Sequence, residues 1–498
     1  MECLLGIDLK KSAAARAPYA GGGHFVTRMS ASPGTSRWSA QESSQATNGS
    51  ATPKGIYTSR SDRTTRSGPG RQASLFPSKK IMNLHTSILA LVVLLCGVAR
   101  AQDIAPVRHE PNGLNSAKAK RAHYVVMVSL DGFRWDYAAK WGAPHLLKMA
   151  EEGASAPEGM LPSYPSITFP NHYTLVTGLY PEHHGIVDNE FLDPERGYQK
   201  YSYKDKKTDA DGSWYGGVPL WSLAERRGMR AASMFWPGSE AEIAGKRPSY
   251  WVPFDDKFDD EKRLEQVVAW LKLPEAERPH LITLYYSNTD HAGHDFGPES
   301  DEVRDAVHHV DGLMGELEEK LKATGLPVDM IVVSDHGMAQ LEDRRWFALD
   351  KLVDLKDAAT EGANLYPKTE AEKERIYRAL RATNDSRFET YRLKDVPGRL
   401  EFNHNAREGD PVVIPRKLVP ITAHARQETI KGVGAHGYDP AQFPQMKAIF
   451  YAEGPDVKAG ARLSPFENVN VYDFVCELLG LKPAKNDGKK KMLARALR

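Results

Sequence analysis

Apolar residues first settle into a sustained pattern at His123. The run His123–Leu130 is apolar at almost every position, as expected of a strand buried on both faces. Leu281–Tyr286, Met330–Val333 and Lys447–Tyr451 are three more short, β-rich apolar runs. Helical periodicity falls between them, at Pro144–Glu152, Pro219–Arg227, Asp259–Leu271, Val303–Ala323 and Val469–Leu479. Strands alternating with helices predict an α/β fold, a doubly wound and mostly parallel sheet with helices on both faces. Ligands bind such sheets at the carboxyl ends of the strands. Residues from about 339 to 430 are more charged and less periodic, and read as an insertion that caps or flanks a site. The end of the chain, from Lys489-Lys490-Lys491 onward, reads as a solvated basic tail.

The first part of the chain follows another rule. Residues 1–81 are rich in Ser, Gly, Ala, Thr and Arg and have no sustained apolar period, which is a disordered composition. An apolar run Ile88–Val98 then ends at Ala99-Arg100-Ala101, with Lys79-Lys80 upstream. That layout predicts a signal peptide over residues 82–101, too short to span a membrane. A signal peptide should not lie so far inside a chain. The preferred explanation is a mis-assigned start, and a genuine disordered extension is the alternative. Residues 102–498 are then the expected mature domain, periplasmic or secreted, with no membrane span left after cleavage.

Charge sharpens this division. Residues 1–101 carry 13 Lys/Arg against 4 Asp/Glu, leaving 53 against 61 in the remainder. An acidic body argues against a nucleic-acid polymer as partner, because that task needs a basic track. Of three Cys, only Cys476 lies beyond residue 101, so the predicted mature domain can form no internal disulfide. No G-x-G-x-x-G follows the first strand, which excludes a dinucleotide-binding redox domain.

Chemistry-bearing residues cluster where the pattern says ligands should bind. Asp131 follows the first strand, Asp335-His336 follows Met330–Val333, and Asp290 follows Leu281–Tyr286 after a short loop. Asp290 and His294 have metal-ligand spacing, although a short glycine-containing loop could carry them for structural reasons alone. An adjacent Asp-His pair after a buried strand is costly unless paired or metallated. His436 lies between glycines, in a loop free to approach a metal. Thr168 stands at the predicted start of a helix, Phe169 to Thr177, where free N–H groups favour a phosphate. A Thr hydroxyl becomes a useful nucleophile only when a metal or base removes its proton. Ligands of oxygen and nitrogen without Cys suit catalytic zinc, and two such ions could clamp a phosphoryl group.

These segments resemble the nucleotide pyrophosphatase/phosphodiesterase family of the alkaline phosphatase superfamily. The resemblance rests on VSLDGFRWDY, PSYPSITFPNHYTLVTGLYPEHHGIVDN, FWPGSE, DHAGHDFGP, VVSDHGM, GAHGYDP and PFENVNVYDFVCELLGLKPA, from about Val125 to Leu481. It implies two zinc ions, one held by Asp131, Thr168, Asp335 and His336, the other by Asp290, His294 and His436. It implies Thr168 as the nucleophile that forms a covalent phospho-enzyme, and Asn189 as an oxyanion donor. It implies Phe169 and Phe254 as the aromatic pair around a base, with Tyr285 lining that pocket. The implied substrate is a nucleotide or another small phosphodiester, cleaved to release a nucleoside monophosphate. Ser287-Asn288 stand where the family often has acidic residues, and no Lys matches one that some members use on the nucleotide. Two other readings stay open. One is a phosphomonoesterase, sulfatase or phosphonate hydrolase on the same scaffold; the other is a silent metal-binding ectodomain. Oligomeric state, monomer or dimer, is left open by the sequence.

Overall fold

The computed structural model describes residues 103–498. The predicted extension at 1–81 and signal peptide at 82–101 lie outside the described residues. Nine strands form the main sheet: β1 (Arg108–His109), β2 (Tyr124–Leu130), β3 (Ala154–Ser155), β4 (Ala231–Met234), β5 (Tyr250–Val252), β6 (Leu281–Tyr286), β7 (Val328–Val333), β8 (Phe450–Glu453) and β9 (Ala461–Arg462). Their spatial order is β1-β5-β4-β6-β2-β7-β8-β3-β9. The five central strands, β5-β4-β6-β2-β7, run parallel. β1 and β8 pair antiparallel to that block, and β3 antiparallel to β8.

The alternation along β2 explains why both faces are covered. Val125 and Met127 point into one apolar core, and Tyr124, Val126, Val128 and Leu130 into the other. The first face packs on the helices Thr168–Thr177, Leu220–Arg226 and Asn470–Leu478. The second packs on Pro144–Glu152, Asp260–Leu271 and Asp301–Ala323. Each fully buried aliphatic side chain contributes roughly 1.5–3 kcal/mol, so strand register is strongly specified and the strand ends are rigid.

The strand expected at Lys447–Tyr451 begins later, at Phe450. Ala448 forms an isolated bridge with Met160 and Arg134 before the sheet is reached. The pair Asp290/His294 does not lie on a loop. Both sit on a helix, Asn288–Phe296, which the Gly293 and polar residues within it disguise. The basic tail is not a solvated end either. Leu493 and Ala496 are buried in the main core, and Val457 bridges Leu497.

Residues 347–423 carry a small core of their own, with Leu349, Leu365, Ile376, Leu380, Phe388 and Ile421. Its helix, Glu370–Ala382, starts at Thr369, whose hydroxyl accepts from the Glu372 N–H. Among the described residues, no helix is long and apolar enough to cross a membrane.

Candidate active site

Three parallel strands deliver the first carboxylates. Asp131 follows β2, Asp335 lies two residues beyond β7, and Asp290 sits in the first turn of the helix after β6. The chain after β2 must turn sharply, and Gly132 makes this possible with φ +65°. A Cβ there would come within 2.8 Å of the Asp290 Cα. The turn therefore presses the β2 end against the Asp290 helix.

Six buried side chains gather into two groups, Asp131 with Asp335 and His336, and Asp290 with His294 and His436. Within each, one ligand atom per residue lies within 4.8 Å of the others. His336 Nε2 is 3.0 Å from Asp335 Oδ2 and 3.5 Å from Asp131 Oδ1. His294 Nε2 is 3.3 Å from Asp290 Oδ1, and His436 Nε2 is 3.8 Å from that atom. The rings of His336 and His436 stack at 3.6 Å, so the two groups are neighbours. His294 and His436 meet because backbones touch behind them. A Cβ on Gly434 would lie 2.1 Å from the Gly293 carbonyl oxygen.

Hydrogen bonds fix the tautomers. His294 Nδ1 faces Gly434 O at 3.0 Å, His436 Nδ1 faces Ser166 O at 2.9 Å, and His336 Nδ1 faces Gly337 O at 2.9 Å. A carbonyl can only accept, so each Nδ1 carries the proton and, in the neutral ring, each Nε2 presents a lone pair. His294 Nε2 and His436 Nε2 are nevertheless 3.1 Å apart. Two lone pairs at that distance repel unless a cation or an added proton lies between or beside them. Asp290 Oδ1 and Asp335 Oδ2 are buried and take no well-aligned hydrogen bond. Imidazole Nε2 atoms and carboxylates aimed at one another are the donor set that zinc-like cations prefer, so these residues fit two divalent metal ions.

Charge follows the same geometry. Burial would raise the Asp290 carboxyl, but His294, His436 and His336 hold it well below the usual carboxylate range. Burial opposes ionisation of Asp335 too, and His336 and His172 overcome it. Burial, then the neighbouring His336 and His294 imidazoles, lower His436, which favours its neutral form.

Thr168 opens its helix, with Ile167 extended before it at φ −120° and ψ 150°. Its Oγ1 is 3.3 Å from His336 Nε2, which sets the hydroxyl against the first cluster. The next N–H, of Phe169, donates to Asn189 Oδ1 at 2.9 Å. That bond fixes the amide so that its donor Nδ2 end lies away from Phe169.

Tyr285 differs from expectation in emphasis. Its hydroxyl donates to Asp131 Oδ2 at 2.6 Å, so it orients a carboxylate of the first cluster. Phe254 is 44% exposed and stands edge-on to Tyr285. The ring of Phe169 is not in contact with that of Phe254 among the described residues. It leans on Tyr203 at 5.2 Å.

Sequence reasoning missed three supporting groups. His172 donates from Nδ1 to Thr168 O at 2.9 Å, lies 3.3 Å from Asp335 Oδ2 and meets Ser129 Oγ at 2.8 Å. Its signal was its place one helical turn after Thr168. Thr289 donates its hydroxyl to Asp131 O. Tyr203 carried no local signal, since only the fold brings it to Phe169.

Residues 125–439 match the family profile described as type I phosphodiesterase / nucleotide pyrophosphatase. The chain belongs to that family. It is 37% identical over 421 residues to an uncharacterized pyrophosphatase/phosphodiesterase of Schizosaccharomyces pombe, spanning 80% of this chain and 85% of the yeast protein. It is also 37% identical to human ectonucleotide pyrophosphatase/phosphodiesterase family member 1, across 73% of this chain and 40% of the human one. Murine ectonucleotide pyrophosphatase / phosphodiesterase 5, solved as an inactive variant in complex with AMP, superposes with a TM-score of 0.70 at 29% identity. That match covers 76% of this chain and all of the murine one. The alkaline phosphatase-like α/β fold predicted from the sequence is thereby borne out.

Proposed function

We propose that this protein hydrolyses nucleotide phosphodiester and pyrophosphate bonds to release a nucleoside monophosphate, with Thr168 as nucleophile and two zinc ions as cofactors. The observation that carries the reading is the Thr168 hydroxyl at a helix start, 3.3 Å from His336 Nε2 and beside two buried Asp/His clusters. The AMP complex of the murine relative supports the substrate class.

Asp131, Asp335 and His336, with Thr168, would hold one ion, and Asp290, His294 and His436 the other. Bound there, the ions would neutralise phosphoryl oxygens and make hydroxyl groups more acidic. The residues do the rest. Thr168 Oγ1, its proton released to solvent, attacks phosphorus; the new Oγ1–P bond forms as the bond to the leaving oxygen breaks. Water then attacks phosphorus as the Oγ1–P bond breaks; one of its protons passes to Thr168 Oγ1 and its OH stays on phosphorus, which frees the nucleoside monophosphate. Asn189 Nδ2 donates to a non-bridging oxygen, an interaction that strengthens as charge builds. Phe169 and Phe254 flank the base. A single amide in that role, with no Arg or Lys assigned beside it, suits the singly charged phosphorus of a diester better than a monoester.

The apolar run before residue 102 supports export to the periplasm or medium. The test is hydrolysis by residues 102–498, loaded with zinc, of three substrates: a nitrophenyl ester of a nucleoside monophosphate, bis-nitrophenyl phosphate and nitrophenyl phosphate. The expected result is a strong preference for the nucleotide diester and loss of about 10³-fold or more in Thr168→Ala. Preferred cleavage of the monoester would move the assignment to a phosphomonoesterase. No cleavage of any substrate would leave a silent metal-binding ectodomain.

A further inference from the structure

We propose that His123, Asp329 and Asp456 form a further divalent-cation site, structural rather than catalytic, at the edge of the sheet opposite Thr168. His123 directly precedes β2, Asp329 is the second residue of β7, and Asp456 follows β8. Because β8 is antiparallel to β7, its exit returns to the edge where β2 and β7 begin. His123 and Asp131 bracket β2, about 26 Å apart at strand rise, so the new group is remote from the active site.

One ligand atom from each of the three residues lies within 4.8 Å of the others. The Asp329 carboxylate is wholly buried. Its Oδ1 accepts from the Asp456 N–H at 3.0 Å, and its Oδ2 is buried without a hydrogen bond. A buried carboxylate oxygen left in that state is costly unless a positive charge faces it. His123 Nδ1 sits 2.6 Å from Asp456 Oδ2 and can supply one positive charge against two carboxylates. A divalent ion would relieve the imbalance. The loop is also built onto the carboxylate: a Cβ on Gly454 would lie 2.3 Å from Asp329 Oδ1.

One imidazole and two carboxylates suit zinc or a similar borderline ion. Ligand atoms on such an ion stand about 3.3 Å apart, from bonds of about 2.0–2.1 Å. The His123–Asp456 contact would therefore open by less than ~1 Å. Both side chains are partly exposed, which gives the ion an entry path and water for its remaining positions. The ion would clamp more than the three ligands. The Arg498 N–H donates to Asp456 O at 3.0 Å, and the Lys458 N–H to Ala496 O at 2.8 Å. The site thus ties the C-terminal segment to the sheet edge.

The test counts zinc per chain by plasma mass spectrometry, after the full chain is loaded with zinc and desalted. The wild type is compared with Asp329→Asn and with His123→Gln. The latter alters a partly exposed side chain and carries the test if the former does not fold. The expected result is one zinc fewer per chain in each folded variant, a lower melting temperature in zinc, and unchanged hydrolysis. Equal zinc counts would overturn the proposal and leave an imidazolium–carboxylate pair.

Discussion

The two halves of the candidate site are built by different means. Asp131 and Asp335-His336 stand directly after adjacent parallel strands, whose register is locked by side chains buried on both faces. Asp290 and His294 ride on a helix, and His436 comes from a loop 142 residues later in the chain than His294. The strand half is positioned by the core itself. The helix-and-loop half is positioned by local contacts: Gly434 packs on Gly293, the Val433 N–H donates to His294 O at 2.7 Å, and His436 Nδ1 is held by Ser166 O. Thr168, the proposed nucleophile, lies against the strand half. The core holds the first half, and in the second the close-packed junction of Gly434 on Gly293 leaves no room for a methyl group.

Substitutions can sharpen that contrast. The largest effect is expected beside Thr168: if Asn189 is the proposed oxyanion donor, Asn189→Ala should lower kcat by ~10²–10³-fold. Retained kcat would remove Asn189 from the chemistry. Gly434→Ala attacks the junction. Displacing a catalytic group by about 1 Å can cost ~10²-fold, so a loss of that order is expected, alongside weaker zinc retention. Gly312, where a Cβ would meet nothing within 4 Å, is the control, and Gly312→Ala should leave activity intact. On the strand side, Tyr285→Phe removes the donor to Asp131 Oδ2. Loss of such supporting hydrogen bonds costs roughly 10–100-fold in metal affinity, measurable by zinc competition with a chelator.

The smallest effect concerns the 347–423 region and stability rather than turnover. Both carboxylate oxygens of Glu408 are buried without a hydrogen bond. Burial, then the Glu182 charge, pushes its carboxyl up to about 9 from the ordinary 4.5. The folded value exceeds the unfolded one, so this stability is fully present below pH 4.5 and is lost as pH rises toward 9. Glu408→Gln should flatten that decline and raise the melting temperature at pH 9 by on the order of a few degrees. An unchanged pH profile would show that Glu408 is not the group responsible.

What could be read in the sequence was whatever had a local signature. Asp131 and Asp335-His336 follow apolar runs, and Thr168 precedes a helix closed by Gly178; each is visible within a short window. The central strands were legible for the same reason, because burial on both faces leaves an uninterrupted apolar run. The Asn288–Phe296 helix was hidden, since three of its nine residues are His or Gly and its apolar face is short. Thr369-Glu370-Ala371-Glu372 did carry a helix-start signature for Glu370–Ala382, obscured by the charged residues around it. Tyr203 depends on a contact made only in three dimensions. The tail from Lys489 onward looked solvated because its charges dominate, while two apolar side chains, Leu493 and Ala496, decide its docking.

The central claim is that two cation clusters flank Thr168. Crystals of the zinc-loaded protein, measured on both sides of the zinc absorption edge, test it most directly. The account predicts one anomalous peak among Asp131, Asp335 and His336, and another among Asp290, His294 and His436. A single peak, or none at these residues in active protein, would contradict it.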